Sequence, residues 1–324
     1  MKKRVEAMVV ITLFALVLIF CAPGSLLAQK RIVFGGGPAG GTFQVVANSI
    51  QIYGPVKQLE GYSIKAQSSA GSVENLRKVD ARKSDFGVVY AGNLYQGLHG
   101  QLKNDTNKYT DVQAVSFLYG APAQLVVNPA LGIDKVTDLV GKKVGVGNAG
   151  SGAFANCELF FTHLGIWDKI ERNAMGYNEA AAAFGNNQLD AFWVFTTFPS
   201  ASVIMAAQTS EIKLLGLQKE GKETGFFKKN PYFSMITIPA GTYRGMDSDA
   251  PSFQDSALWV ANKDVPDDLV YDLLSLIYSE EGLRHMVSQK KVFKQMSIES
   301  GVSGISTPLH PGAEKFWREK GVLK

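Results

Sequence analysis

Lys143-Val144-Gly145-Val146-Gly147 runs directly into Asn148-Ala149-Gly150-Ser151-Gly152-Ala153-Phe154. A short apolar run that enters a glycine cluster and continues at helical spacing reads as strand, tight turn, helix. The same unit stands about 110 residues earlier, where Arg31-Ile32-Val33-Phe34 enters Gly35-Gly36-Gly37-Pro38-Ala39-Gly40-Gly41-Thr42 and Val45, Val46, Ser49 and Ile50 follow at helical spacing. The echo continues. Ser84-Asp85-Phe86-Gly87-Val88-Val89-Tyr90 is matched by Gln188-Leu189-Asp190-Ala191-Phe192-Trp193-Val194-Phe195, each a buried strand after a helical stretch. Strands alternating with helices predict an α/β fold with a largely parallel sheet, here written twice as two similar lobes.

Tyr62 to Gln67 suits a further strand of the first lobe, and Val73 to Val79 a helix with Ser72 as its N-cap. Val112 to Val127 is a long apolar segment with Pro122 near its middle. It reads as a strand leaving one lobe for the other, with a return crossing through Tyr232 to Pro239. The tail has helical spacing at Leu269, Leu273, Leu274 and Ile277, and is expected to pack back onto the first lobe. The expected division is therefore 29–120 with 236–324 as a discontinuous lobe 1, and 121–235 as lobe 2.

Ahead of these lobes, Lys2, Lys3 and Arg4 precede an uncharged apolar stretch from Ala7 to Phe20, broken by Pro23-Gly24 before Ala28. The stretch falls short of the roughly 20 apolar residues a membrane span needs, so 1–28 reads as an export signal cleaved after Ala28, with a retained anchor as the alternative. Removing 28 of 324 residues leaves 296, more than one core usually serves. It also removes Cys21, so Cys157 has no intrachain partner and reads as a buried small hydrophobe. The formal charge of +4 is scattered over the chain, which argues against nucleic acid as a partner.

Both glycine clusters match G-x-G-x-x-G, at Gly35, Gly37, Gly40 and at Gly145, Gly147, Gly150. The acidic residue that holds a ribose is missing, because the second strand ends in Gln67-Ser68-Ser69, so no nucleotide cofactor is expected. What survives is more general: glycines admit close backbone approach, and free N–H groups at a following helix start favour an anion. Three such starts follow Gly41-Thr42, Ser69-Ala70-Gly71-Ser72 and Gly150-Ser151-Gly152. Each alone is equally a plain tight turn. If the lobes face each other, all three share one cleft.

Aromatic residues at the ends of the echoing strands, Tyr90, Trp193, Phe195 and Phe198, are candidates for the cleft wall, with Tyr119 beside the crossing. Of Phe192 and Phe195 one must be core, since strand faces alternate. No two of His99, His163, His285 and His310 have metal-ligand spacing, and no Gly-x-Ser-x-Gly or His-Glu-x-x-His occurs, so neither a metal nor an enzyme activity is expected. His310, in Thr307-Pro308-Leu309-His310-Pro311, is expected to be structural.

The set of motifs resembles the extracytoplasmic solute receptors of TRAP transporters, in their TAXI branch. The matching pieces are Gly36-Gly37-Pro38-Ala39-Gly40-Gly41-Thr42-Phe43, Gly71-Ser72-Val73-Glu74-Asn75-Leu76, Asp138-Leu139-Val140-Gly141-Lys142-Lys143, Ile238-Pro239-Ala240-Gly241-Thr242-Tyr243 and Pro308-Leu309-His310-Pro311-Gly312-Ala313. The resemblance implies a two-lobed periplasmic-binding-protein fold of type II, with the cleft between lobes joined by a two-stranded hinge. It implies a periplasmic monomer that captures a small carboxylate, glutamate-like or a dicarboxylate, and delivers it to membrane-embedded TRAP subunits. A receptor for an ATP-driven (ABC) importer is the alternative. Carried over by position, the ligand contacts fall at Gly37, Thr42, Ser69, Ser72, Asn75, Tyr90, Ser151 and Gly152, beside the aromatic candidates Tyr119 and Trp193. Ala153 stands where the family usually has Thr, and Trp193, Phe195 and Phe198 are bulkier than its usual residues, which favours a ligand with more apolar surface.

Overall fold

The computed structural model describes residues 30–56, 59 and 61–323, and the expected export signal lies outside them. Among the described residues ten strands are formed: β1 (Lys30–Gly35), β2 (Tyr62–Gln67), β3 (Phe86–Tyr90), β4 (Val112–Val127), β5 (Lys143–Gly145), β6 (Glu171–Asn173), β7 (Ala191–Phe195), β8 (Lys213–Leu214), β9 (Ser234–Ile238) and β10 (Ala250–Asn262). They make a mixed sheet in the order β2-β1-β3-β10-β4-β7-β5-β6, with β8 beside β4 and β9 beside β10. β1 runs parallel to β2 and β3, and β5 runs parallel to β6 and β7. Each parallel block has its first strand in the middle, so the echo in the sequence is an echo in topology.

Every residue of β3 and of β7 is buried, as parallel strands covered on both faces require. The covering helices are α1 (Thr42–Val56), α2 (Ser72–Asp80) and α3 (Ala91–His99) in the first half, and α4 (Gly152–His163), α5 (Tyr177–Gly185) and α6 (Ala201–Thr209) in the second. The tail supplies α7 (Asp267–Ile277), α8 (Glu280–Gln289) and α9 (Pro311–Glu319), and it packs on the first half. There His285 stacks on Tyr53 of α1, and Trp317 Nε1 donates to the Val115 carbonyl of β4 at 2.8 Å. His310 caps α9 by accepting from Gly312 N–H at 3.3 Å, while its other ring nitrogen meets the Val265 carbonyl at 3.0 Å, a structural role. No helix among the described residues is long and apolar enough to cross a membrane.

β4 and β10 tie the halves together. β4 pairs antiparallel with β10 up to Pro122 and with β7 from Ala123, so the residue without an N–H sits where the strand changes partner. The return differs from the sequence expectation. Tyr232–Pro239 contributes only β9, whose side chains are largely exposed and which pairs with β10. β10 makes the crossing, pairing with β9 through Ala250–Gln254 and with β3 through Ala257–Ala261. Asp255 interrupts its apolar run, which is why periodicity alone overlooks it. A second correction concerns α2: its N-cap is Gly71 at φ 126°, and Ser72 is the first helical residue, its hydroxyl accepting from Tyr90 N–H at 2.9 Å.

Cys157 is fully buried in α4, and burial pushes its thiol well above the ordinary value. The thiolate is the reactive form. In protein beginning at Gln29, a thiol reagent should titrate no cysteine in the native state and one after denaturation; rapid native labelling would contradict this packing.

Candidate functional site

The starts of α1, α2 and α4 converge on one hollow between the two halves. Gly41-Thr42 contributes from α1, Gly71-Ser72 from α2 and Ser151-Gly152 from α4, with Tyr90 and Phe195 from the ends of β3 and β7. The approach is close. The Glu74 N–H donates across the divide to the Gly150 carbonyl at 3.1 Å. A β-carbon on Gly152 would lie 2.3 Å from the Tyr90 ring and 2.8 Å from the Ser72 β-carbon, so only glycine lets the halves meet here. Ser151 caps α4 by accepting from the Phe154 N–H at 3.0 Å, leaving the earlier amides of that helix without an intrahelical partner.

The lining residues carry no charged side chain. Tyr90 donates its hydroxyl across the divide to the Phe195 carbonyl at 2.7 Å, and Tyr177, at the start of α5, donates to the same carbonyl at 2.9 Å. Burial raises both phenols well above their ordinary range, so both remain neutral donors. Thr42, also buried, holds its hydroxyl 3.2 Å from that of Thr196 and 3.3 Å from that of Thr197. Lys290, at the end of α8, donates to the Thr42 hydroxyl at 2.6 Å, and desolvation lowers its amine from the ordinary value. The hollow measures about 30 Å³, room for about one water, so an organic ligand enters only if the halves part. A wider groove of about 510 Å³ borders it, sharing Ser151; there Arg77 and Lys103 are paired with Asp105 and Glu158.

Of the ten ligand-contact candidates read from the sequence, Thr42, Ser72, Tyr90, Ser151 and Gly152 line the hollow, as does the cleft-wall candidate Phe195. The other five do not. Gly37 donates its N–H to Gln44 Oε1 at 3.2 Å, and Ser69 bonds the Gly36 carbonyl and accepts from Gly71 N–H, so both shape the turns behind the lining. Asn75 is fully buried and its amide bonds the carbonyls of Gly36 and Val88, which ties β1 to β3. Tyr119 is fully buried behind Phe43. Trp193, expected in the cleft wall, lies in the core among Phe160, Phe161, Phe195 and Phe253. Trp193 and Phe195 share one face of β7, and it is Phe195, at the strand's C-terminal end, that lines the hollow.

Sequence reasoning missed Tyr177, Thr196 and Lys290. Tyr177 opens α5, the counterpart in the second half of α2, so the echo itself would have found it. Thr196 follows the C-terminal end of a parallel strand, where open α/β sheets place their ligands. Lys290 has no signal in its sequence neighbourhood.

This strand order, with a hollow where helix starts of both halves converge, defines an α/β protein of the type II periplasmic-binding-protein fold. The chain belongs to the NMT1-like family, whose model matches residues 34–321. Among solved structures it is similar to a protein of Bordetella bronchiseptica RB50, at 15% identity and a TM-score of 0.51, over 90% of this chain and 89% of that one. It is also similar to a binding-protein component of an ABC phosphonate transporter from Pseudomonas aeruginosa, at 11% identity and a TM-score of 0.50, over 90% and 95%. The alkanesulfonate-binding protein of Xanthomonas axonopodis pv. citri matches at 15% identity and a TM-score of 0.48, over 89% and 83%.

Proposed function

We propose that this protein is the exported solute-binding component of a membrane transporter, and that it grips a small anion in the hollow between its halves. One observation carries the reading: three helix starts from both halves converge on a single site whose walls meet through Gly152 and Tyr90. The bound form is favoured because only with the halves together do both sets of donors reach the ligand. The lobes divide where β4 changes partner and where β10 passes from β9 to β3, so 121–254 and the remainder move as two bodies, with Ile238, Tyr243 and Met246 packed in the core of the second half. A small carboxylate with apolar surface suits the uncharged donors and the aromatic rings of Tyr90 and Phe195.

Two transporter classes remain as readings. The Pseudomonas aeruginosa relative is a binding-protein component of an ABC transporter, which favours that class. The TAXI-like motifs favour an ion-driven TRAP partner. Uptake by cells carrying the whole system separates them: loss on inhibiting the ATPase supports the first, and loss on collapsing the ion gradient supports the second.

A thermal-shift screen against carboxylates, sulfonates and phosphonates tests the reading, since a ligand that binds only the native state raises the melting temperature. If no small solute stabilises the protein, the proposal fails. With a ligand in hand, Tyr90→Phe removes one cross-half bond while Tyr177 still satisfies the Phe195 carbonyl. The expected cost is about 1 kcal/mol, roughly fivefold in affinity by calorimetry, with the melting temperature of the free protein nearly unchanged. Unaltered affinity would remove Tyr90 from the closing contacts.

A further inference from the structure

The geometry points to Lys290 as the group that selects for charge: its ammonium, acting through the Thr42 hydroxyl, orients the threonine cluster toward the anionic head of the ligand. The inference rests on the solute-binding reading above.

Lys290 differs from the ion-paired bases. Arg77, Lys78, Lys103, Lys213 and Lys263 each meet a carboxylate within 4.0 Å. Among the described residues no carboxylate pairs with Lys290, although its side chain is half-buried and desolvation alone lowers its amine. A partly buried cation without a counter-charge is costly, and an anion brought beside it relieves that cost. Among the described residues the side-chain acceptor it meets is Thr42, at 2.6 Å.

An ammonium can only donate, so Thr42 Oγ1 must accept from it. That fixes the direction of the single Thr42 proton, which is left for Thr196 or Thr197 at 3.2 and 3.3 Å. Gln124 holds both threonines by their carbonyls, at 2.9 and 3.4 Å, so the cluster is rigid at its far end. Thr42 and Thr196 line the hollow, which places the positive end of this chain, together with the start of α1, on one side of it. The fully buried Tyr119 phenol, packed behind Phe43, belongs to the same cluster through Thr42 and Thr196. The cluster therefore carries a positive charge that an anionic head group would offset. The chemistry is shared by carboxylates, sulfonates and phosphonates, and it discriminates against neutral isosteres.

Calorimetry with 4-methylpentanoate, its sulfonate and phosphonate counterparts, and neutral 4-methylpentanamide tests this on wild type, Lys290→Met and Lys290→Arg. The expected result is that wild type prefers at least one of the acids to the amide. Lys290→Met loses tenfold or more for that acid with little change for the amide, and Lys290→Arg keeps the preference. Which acid binds best identifies the head group. Equal losses for acid and amide, or no loss for either, overturn the inference. Binding of the amide with none of the acids overturns it while leaving the solute-binding reading intact, and binding of none of the four counts against both.

Discussion

Gly152→Val abolishes tight ligand binding and leaves the protein folded. At this position even a bare β-carbon meets the Tyr90 ring at 2.3 Å and the Ser72 β-carbon at 2.8 Å, and both belong to the opposite half. Neither neighbour has room to retreat, because Tyr90 is packed between the rings of Phe43 and Phe195 at 4.8 and 5.1 Å. Overpacking of this kind costs about 1–3 kcal/mol, and valine, with two further carbons, sits at the upper end. Since the clash arises only when the halves meet, it falls on the bound form, which corresponds to about a hundredfold loss of affinity. Calorimetry with the best ligand from the thermal-shift screen reads it, with the melting temperature of the free protein as control. Affinity within threefold of wild type would mean that the halves need not meet here.

The second large effect lies at the crossing strand. Asp255 is fully buried, and burial pushes its carboxyl up to about 7; Gly92 and Ser256 N–H groups oppose the shift without cancelling it. The phenols of Tyr232 and Tyr90 lie near it, and no cation is among the causes of its shift. An unfolded aspartate titrates near 3.9. With the folded value raised, the native state binds the extra proton between these two values. Stability from this group is therefore fully present below about pH 4, falls as pH rises, and is lost above about pH 7. The span corresponds to on the order of 4 kcal/mol. Asp255→Asn keeps an acceptor at the Oδ1 position, which alone meets both N–H groups, at 3.3 and 2.7 Å. The variant should melt several degrees above wild type at pH 8 and together with it near pH 4. A difference that does not vary with pH would show that Asp255 does not titrate in this range.

How legible these features were in the sequence depended on whether local pattern or tertiary placement decides them. β2 and β4 lie where the apolar patterns put them, Tyr62–Gln67 and Val112–Val127, because alternation and a long apolar run are properties of the chain itself. The three glycine turns were legible for the same reason, and their meeting in one hollow followed from reading the chain as two repeated units. Asp255 hid the crossing strand, since a charge within an apolar run signals an end unless burial of the carboxyl is known. Trp193 was misjudged because a sequence shows that two residues share a strand face but not which of them reaches the rim. Ser72 lost the capping role to Gly71 because the turn needs a positive φ there, which glycine adopts without strain. Lys290 was beyond sequence reasoning altogether: it lies 248 positions from Thr42, and only the folding of the tail onto α1 brings them together.

The most direct test is a crystal structure of the protein with the tightest ligand from the screen. The ligand should lie between Thr42, Ser72 and Ser151, touched by both halves, with Gly152 and Tyr90 at its edge. A ligand seated instead in the outer groove beside Arg77 and Lys103, or held by one half alone, would contradict the account.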